Sequence, residues 1–113
     1  MCTRSHLQII TDTIAKKAKS VFNNELEAVF LYGSYARGDE TDESDIDILI
    51  LVDKSKEELS AYKKIFTDLT SELGLDYDTL ITATLKDKET FNRYLHAVPF
   101  YNNVIKEGLR IAV

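Results

Sequence analysis

The chain has 113 residues, 44% of them hydrophobic and 29% charged, with a formal net charge of −5, so we expect one globular domain over residues 1–113. This composition excludes a membrane span, because no apolar run approaches the required ~20 residues, and a disulfide scaffold, because Cys2 is the only cysteine. The lack of a basic block argues against direct nucleic-acid binding, and the lack of a signal-peptide apolar region favours the cytoplasm.

The first half of the chain predicts one helix and two strands. Residues 5–23 carry apolar side chains at three- and four-residue spacing, which is typical of an amphipathic helix. Residues 27–32 then predict a strand that ends at Gly33, and residues 46–52 predict a second strand rich in β-branched side chains.

A capping box predicts where the next helix begins. Ser55 is followed three residues later by Glu58, and apolar residues then recur on one helical face up to Gly74, where we expect the helix to end. Residues 76–84 are predicted as the third strand.

The last part of the chain predicts two more helices and a short strand. We expect a helix over residues 87–96, a second that begins at Pro99 and ends at Gly108, and a final strand over 109–113. This order of elements predicts an α/β (α+β) fold, in which helices flank one small β-sheet.

Two aspartates at the start of the second strand are the first candidates for chemistry. Asp45 and Asp47 lie on the same side of a strand, and no Lys or Arg occurs within residues 39–53 to neutralise them. Carboxylates, phosphate oxygens and water are the usual ligands of Mg²⁺, so the pair predicts a metal site. The alternative is that both are exposed residues near a strand end.

The turn after the first strand is the second candidate. Gly33 lets the backbone approach a ligand closely, and Ser34 supplies a hydroxyl and an N–H. If residues 35–37 begin a helical turn, this segment favours a phosphate, although an ordinary turn would look the same. Together the two features are the minimum equipment for phosphoryl or nucleotidyl transfer.

These motifs resemble those of a known family. Gly33-Ser34, ten further residues and Asp45-x-Asp47 are similar to the signature of the DNA polymerase β-like nucleotidyltransferase superfamily, and residues 33–38 with 44–49 resemble its minimal nucleotidyltransferase branch. The resemblance implies that ATP is the substrate, that two Mg²⁺ ions bind at the aspartates, and that Gly33 and Ser34 hold the triphosphate.

The family uses a third carboxylate on a later strand, for which Asp76 and Asp78 are the candidates. Both would share a face of the predicted strand, so alternation does not choose between them. We favour Asp78, because an apolar run follows it as one follows Asp47. By resemblance Asp78 would bind one metal ion and accept the proton of the attacking hydroxyl; the alternative is a turn residue entering the strand.

Other residues near the motifs admit two interpretations each. Arg37 either contacts the triphosphate or braces the loop, and Tyr35 either stacks on a base or stays exposed. We interpret residues 99–101 as a packing motif. We interpret the acidic loop as solvated, with a possible role in concentrating Mg²⁺; its acidic residues are Asp39, Glu40, Asp42 and Glu43.

The resemblance also implies a partner. Genes of the minimal branch often pair with a helical toxin of the HEPN ribonuclease type, which predicts an antitoxin that attaches AMP to a toxin tyrosine. Two alternatives remain open at this point. One is a subunit of a small-molecule transferase of the aminoglycoside type, and the other is an antitoxin that blocks its partner by binding alone.

Overall fold

The computed structural model describes residues 4–38, 40–41 and 45–112. Three residues of the predicted acidic loop (Asp39, Asp42 and Glu43) lie outside these ranges, as do Cys2 and Val113. The elements of the described part, in chain order, are α1 (Arg4–Phe22), a 3₁₀ turn (Asn23–Glu25), β1 (Leu26–Tyr32), α2 (Ser34–Arg37), β2 (Ile46–Val52), α3 (Lys56–Ser60), α4 (Lys63–Tyr77), β3 (Ile81–Asp87), α5 (Lys88–Arg93), α6 (Pro99–Glu107) and β4 (Leu109–Ala112).

Within the described residues the strands form one four-stranded sheet in the order β3-β2-β1-β4. The sheet is mixed, because β1 pairs antiparallel with both β2 and β4 whereas β2 and β3 run parallel. The parallel pair is possible because α3 and α4 form the long crossover that parallel strands require. This arrangement confirms the predicted α/β (α+β) fold class.

Helices cover the two faces of the sheet unequally. On one face, α1 and α4 bury alternate residues of β1 and β2, which form the larger core with Leu7, Ile10, Ile14, Phe22, Phe66 and Leu73. On the other face a smaller cluster joins Ala28, Phe30, Leu49 and Leu51 to Phe91 of α5 and Val104 of α6. The end of this second face, around Tyr32 and Asp47, is only half-buried.

Most predicted elements are confirmed. The strand over residues 46–52 has the predicted bounds, α6 begins at Pro99, and Ser55 caps α3 through the N–H of Glu58 at 3.2 Å. The predicted helix from Ser55 divides into α3 and α4 at Tyr62, whose ring packs 5.0 Å from that of Phe22.

The strand predicted over residues 76–84 is wrong in its first half. Helix α4 continues through Gly74 to Tyr77, and Asp78 ends it in the left-handed conformation with φ of 51°. Asp tolerates this conformation better than most residues, because its short side chain can bond locally. Gly74 has a different role, since a Cβ there would lie 2.7 Å from the carbonyl oxygen of Thr79 as the chain turns back.

Among the described helices, none is both long and apolar enough to cross a membrane.

Candidate active site

The candidate site lies where β1 ends and β2 begins. Because these strands are antiparallel, the end of one meets the start of the other, and Tyr32 pairs with Asp47. Gly33 follows Tyr32 directly, and Asp45 precedes β2 by one residue. The two sequence motifs are therefore brought to the same edge of the sheet.

The turn after β1 is closed by its own backbone. Gly33 has φ of 76° and ψ of −154°, a conformation that side-chain-bearing residues rarely adopt. Its carbonyl accepts hydrogen bonds from the N–H groups of Ala36 and Arg37 at 3.1 and 3.2 Å, which starts α2 as predicted. Neither the hydroxyl nor the N–H of Ser34 bonds to another described residue, so both can bind a ligand.

Gly33 and Asp47 are in close approach. A Cβ built on residue 33 would lie 2.7 Å from Oδ2 of Asp47, which is closer than real Cβ contacts come. The absence of a side chain at Gly33 thus lets the Asp47 carboxylate lie directly against the turn. A phosphate held by this turn would lie beside that carboxylate.

The electrostatics of Asp45 and Asp47 favour a bound cation. Burial, and then the negative charge of Asp45, raise the pKa of the Asp47 carboxyl above its ordinary value. No Lys or Arg of the described ranges forms an ion pair with either carboxylate. Two uncompensated carboxylates, one of them half-buried, fit a hard divalent cation that phosphate oxygens and water would also bind.

Among the described residues, the structure brings no third carboxylate to this pair. Asp76 lies inside α4 and Asp78 at its C-terminal end, whereas the β3 residue in register with Asp47 is Thr82. In the part of the chain that is described, no three His, Cys, Asp or Glu side chains form a group that could hold a metal ion. The strand placement that favoured Asp78 is therefore corrected, and its role as a ligand stays a prediction.

Two neighbours of the turn have other partners. Nη1 of Arg37 lies 3.5 Å from Oε2 of Glu107 on α6, which links α2 to the last helix, and the contact of Arg37 with the triphosphate stays a prediction. Tyr35 is 5% exposed and packs in the larger core, which corrects both predictions of stacking on a base and of exposure. Glu40, the one acidic-loop residue described, pairs with Arg4 at 2.7 Å.

Sequence reasoning missed Tyr32, whose ring lies beside the carboxylates. Burial, and next the charge of Asp47, raise the pKa of its hydroxyl, and Thr84 on β3 lies within hydrogen-bonding reach of it. The ring also meets that of Phe100 edge-on, with centroids 5.3 Å apart and an angle of 82°. The signal available in the sequence was the alternation of side chains along the two strands, which puts Tyr32 on the same face of the sheet as its cross-strand partner Asp47.

Comparison with known proteins identifies the fold and the family. The family model of polymerase beta nucleotidyltransferases matches residues 14–111. A Methanocaldococcus jannaschii protein named "Putative protein adenylyltransferase MJ0604" is 39% identical over 90 residues, which cover 80% of this chain and 82% of the relative.

Two solved structures share the fold. One, described as "a putative nucleotidyltransferase from Sulfolobus solfataricus", has a TM-score of 0.56 and 24% identity, and the match covers 94% of this chain and 81% of that one. The other is a toxin–antitoxin complex with AMP-PNP, with a TM-score of 0.53 and 20% identity. The match covers 88% of this chain and 70% of that one. From the matched family model and the M. jannaschii relative, the chain belongs to the polymerase beta nucleotidyltransferase family and is a nucleotidyltransferase.

Proposed function

We propose that the chain transfers AMP from ATP to a hydroxyl group of a partner protein, and that the acceptor hydroxyl is a tyrosine. The observation that carries this proposal is the close approach of Gly33 to Asp47, because a phosphate bound at the Gly33 turn would lie against the carboxylate pair. The name of the 39% identical relative, a protein adenylyltransferase, supports a protein acceptor.

Each part of the site has a role in this reaction. Gly33 and Ser34 bind the β- and γ-phosphates through backbone and hydroxyl donors, which keeps the α-phosphate at the edge of β2. Asp45 and Asp47 hold Mg²⁺, two ions by the family resemblance, together with phosphate oxygens. When bound, the metal lowers the pKa of the acceptor hydroxyl and neutralises charge on the phosphoryl oxygens.

The reaction itself is a displacement at phosphorus. The acceptor oxygen forms a bond to the α-phosphorus of ATP as the bond from that phosphorus to the bridging oxygen of the β-phosphate breaks. Pyrophosphate leaves, the hydroxyl proton passes to water, and the acceptor keeps AMP. Asp47, half-buried on β2, would orient the α-phosphate for this attack through the metal ion that it holds.

The partner we propose is a toxin, and the chain is its cytoplasmic antitoxin. The family resemblance implies a toxin of the HEPN type, and the fold shared with a chain of a toxin–antitoxin complex with AMP-PNP is consistent with it. The net charge of −5 also suits a protein that neutralises a partner with an RNA-binding, basic surface.

The test is direct modification of that partner. The protein, Mg²⁺ and ATP are incubated with the product of the neighbouring gene, whose intact mass is then measured. We expect a gain of whole AMP units that Asp45→Ala and Asp47→Ala each abolish. No gain in a mixture that still forms a tight complex rejects the transfer reaction for this partner.

One observation favours a second candidate, an antitoxin that blocks its partner by binding without transfer. In the described residues Asp47 has Thr82, not a carboxylate, beside it on β3. The same mixture separates the two candidates, because neutralisation of the toxin by an Asp47→Ala variant would support binding alone.

A further inference from the structure

The sheet face that carries Asp47 has an aromatic surface at its open end. Helices α5 and α6 cover Phe30 and Leu49 on this face, but they leave Tyr32 half-buried and Phe100 exposed at 42%. The motif of residues 99–101, which the sequence suggested was packing, is therefore divided. Tyr101 packs against Phe91, whereas Phe100 points at Tyr32 from the solvent side.

Both rings are held in place. Tyr32 pairs with Asp47 on the neighbouring strand, and its hydroxyl extends across β2 to within hydrogen-bonding reach of Thr84 on β3. Phe100 lies in the first turn of α6, whose start is set by Pro99, and its ring stands edge-on to Tyr32. A rigid pair of rings with one open side costs little conformational entropy to use in binding.

We propose that Tyr32 and Phe100 bind the aromatic ring of the acceptor side chain, and so select tyrosine over serine and threonine. This inference rests on the proposed transfer of AMP to a protein hydroxyl. The third ring would complete an edge-to-face group, which a small aliphatic hydroxyl side chain cannot do.

Distance decides between the acceptor ring and the adenine of ATP. Cross-strand neighbours such as Tyr32 and Asp47 have Cβ atoms about 4.5–5.5 Å apart, so the aromatic surface begins beside the carboxylates. The reacting oxygen of a phenol is bonded directly to its ring. In ATP, by contrast, the ribose separates the base from the α-phosphate. A ring surface that begins this near the carboxylates therefore fits the acceptor ring better than it fits the adenine.

The probe for this surface is N-acetyl-L-tyrosinamide, with N-acetyl-L-leucinamide as the non-aromatic comparison. The dissociation constant of each compound is measured by NMR saturation transfer in the absence of ATP and Mg²⁺. We expect Phe100→Ala to weaken tyrosinamide binding about 2- to 10-fold, as for loss of an aromatic pair, and Phe100→Tyr to keep it.

A matched control is available in Tyr94 at the end of α5, which is 44% exposed against 42% for Phe100 and whose ring contacts neither Tyr32 nor Phe100. Tyr94→Ala should leave tyrosinamide binding unchanged. Equal affinity of Phe100→Ala and the wild type, or equal losses in Phe100→Ala and Tyr94→Ala, overturns the inference. So does a loss of AMP-PNP binding in Phe100→Ala with tyrosinamide binding intact, since the ring bound would then be adenine.

This test is independent of the transfer reaction. Binding of the probe needs no metal and no nucleotide, so it can fail while Asp47-dependent modification of a partner succeeds. If the partner is modified, mass mapping of the adducts gives a second readout. Tyrosine adducts in the wild type and a higher KM for the partner with little change in kcat in Phe100→Ala support the inference, whereas adducts on serine reject it.

Discussion

The carboxylate of Asp47 lies so close to the backbone of Gly33 that a Cβ at residue 33 would be 2.7 Å from Oδ2. Gly33 thus serves two needs at once, because its φ of 76° turns the chain and its missing side chain leaves room for the carboxylate. The metal-binding and phosphate-binding parts of the proposed site are coupled through this contact.

Gly33→Ala should damage both parts. The backbone of Gly33, with φ of 76° and ψ of −154°, is in a region almost restricted to glycine, which costs a residue with a Cβ about 1–3 kcal/mol of stability; the new methyl group would also displace the Asp47 carboxylate. We expect AMP transfer to fall about 100-fold or more, the size of the loss when one contact that stabilises the transition state is removed.

The control for this change is Gly38→Ala. Gly38 has a similar φ of 81°, but a Cβ there meets nothing within 4 Å. Urea unfolding should show a loss of stability in both variants, smaller in Gly38→Ala, whose left-handed helical conformation other residues tolerate, whereas radiolabel transfer from ATP should collapse in Gly33→Ala alone. Equal transfer rates in the two variants would contradict the coupling.

Asp47→Asn should stabilise the metal-free protein while it abolishes transfer. Burial, and then the charge of Asp45, raise the folded-state pKa of Asp47, so the folded protein binds this proton more tightly than the unfolded chain does. Stability is therefore full at low pH and is lost as pH rises through the raised pKa. Asparagine carries no charge and should avoid this loss.

Thermal unfolding in EDTA from pH 4.5 to pH 8 tests this sign. The melting temperature of Asp47→Asn should exceed that of the wild type by an amount that grows with pH and then levels off. With Mg²⁺ and AMP-PNP at about 100 times Kd, the wild type should gain about 2.7 kcal/mol and the variant almost nothing. A wild type more stable than Asp47→Asn without metal would contradict the pKa shift.

Asp78→Asn tests the third carboxylate. Asp78 ends α4 in the left-handed conformation, which asparagine also tolerates, so the substitution should keep the fold. Because the structure leaves Asp78 out of the group formed by Asp45 and Asp47, we expect transfer within about threefold of the wild type. Asp47→Asn, by contrast, should abolish transfer. A loss as deep in Asp78→Asn, with unchanged melting, would instead establish it as a ligand.

Substitutions of Arg37 and Glu107 test whether Arg37 braces the loop or binds the triphosphate. The pair is half-exposed, so it should contribute at most about 1 kcal/mol, and we expect Arg37→Gln and Glu107→Gln each to change the free energy of unfolding and the KM for ATP only slightly. If Arg37 bound the triphosphate, Arg37→Gln alone would raise the KM for ATP. Steady-state kinetics of both single variants and the double variant separate these cases.

Local signals predicted much of this fold. The apolar run of residues 46–52 predicted β2 with its bounds, and Ser55 and Pro99 marked helix starts, because capping and the fixed φ of proline act within a single turn. The end of α4 was misjudged because Gly74 looked like a helix stop. Glycine is required at residue 74 for another reason, because the carbonyl oxygen of Thr79 lies too close for a side chain there.

The sequence by itself determined that the Gly33 turn and the pair Asp45 and Asp47 meet, because they bracket one connection between adjacent antiparallel strands. Only the tertiary structure decided what lies beside them. The parallel register that sets Thr82 against Asp47 depends on how α3 and α4 pack on the sheet, and Phe100 reaches Tyr32 from a helix more than sixty residues away in sequence. Neither contact leaves a local pattern, since each is fixed by packing between distant elements.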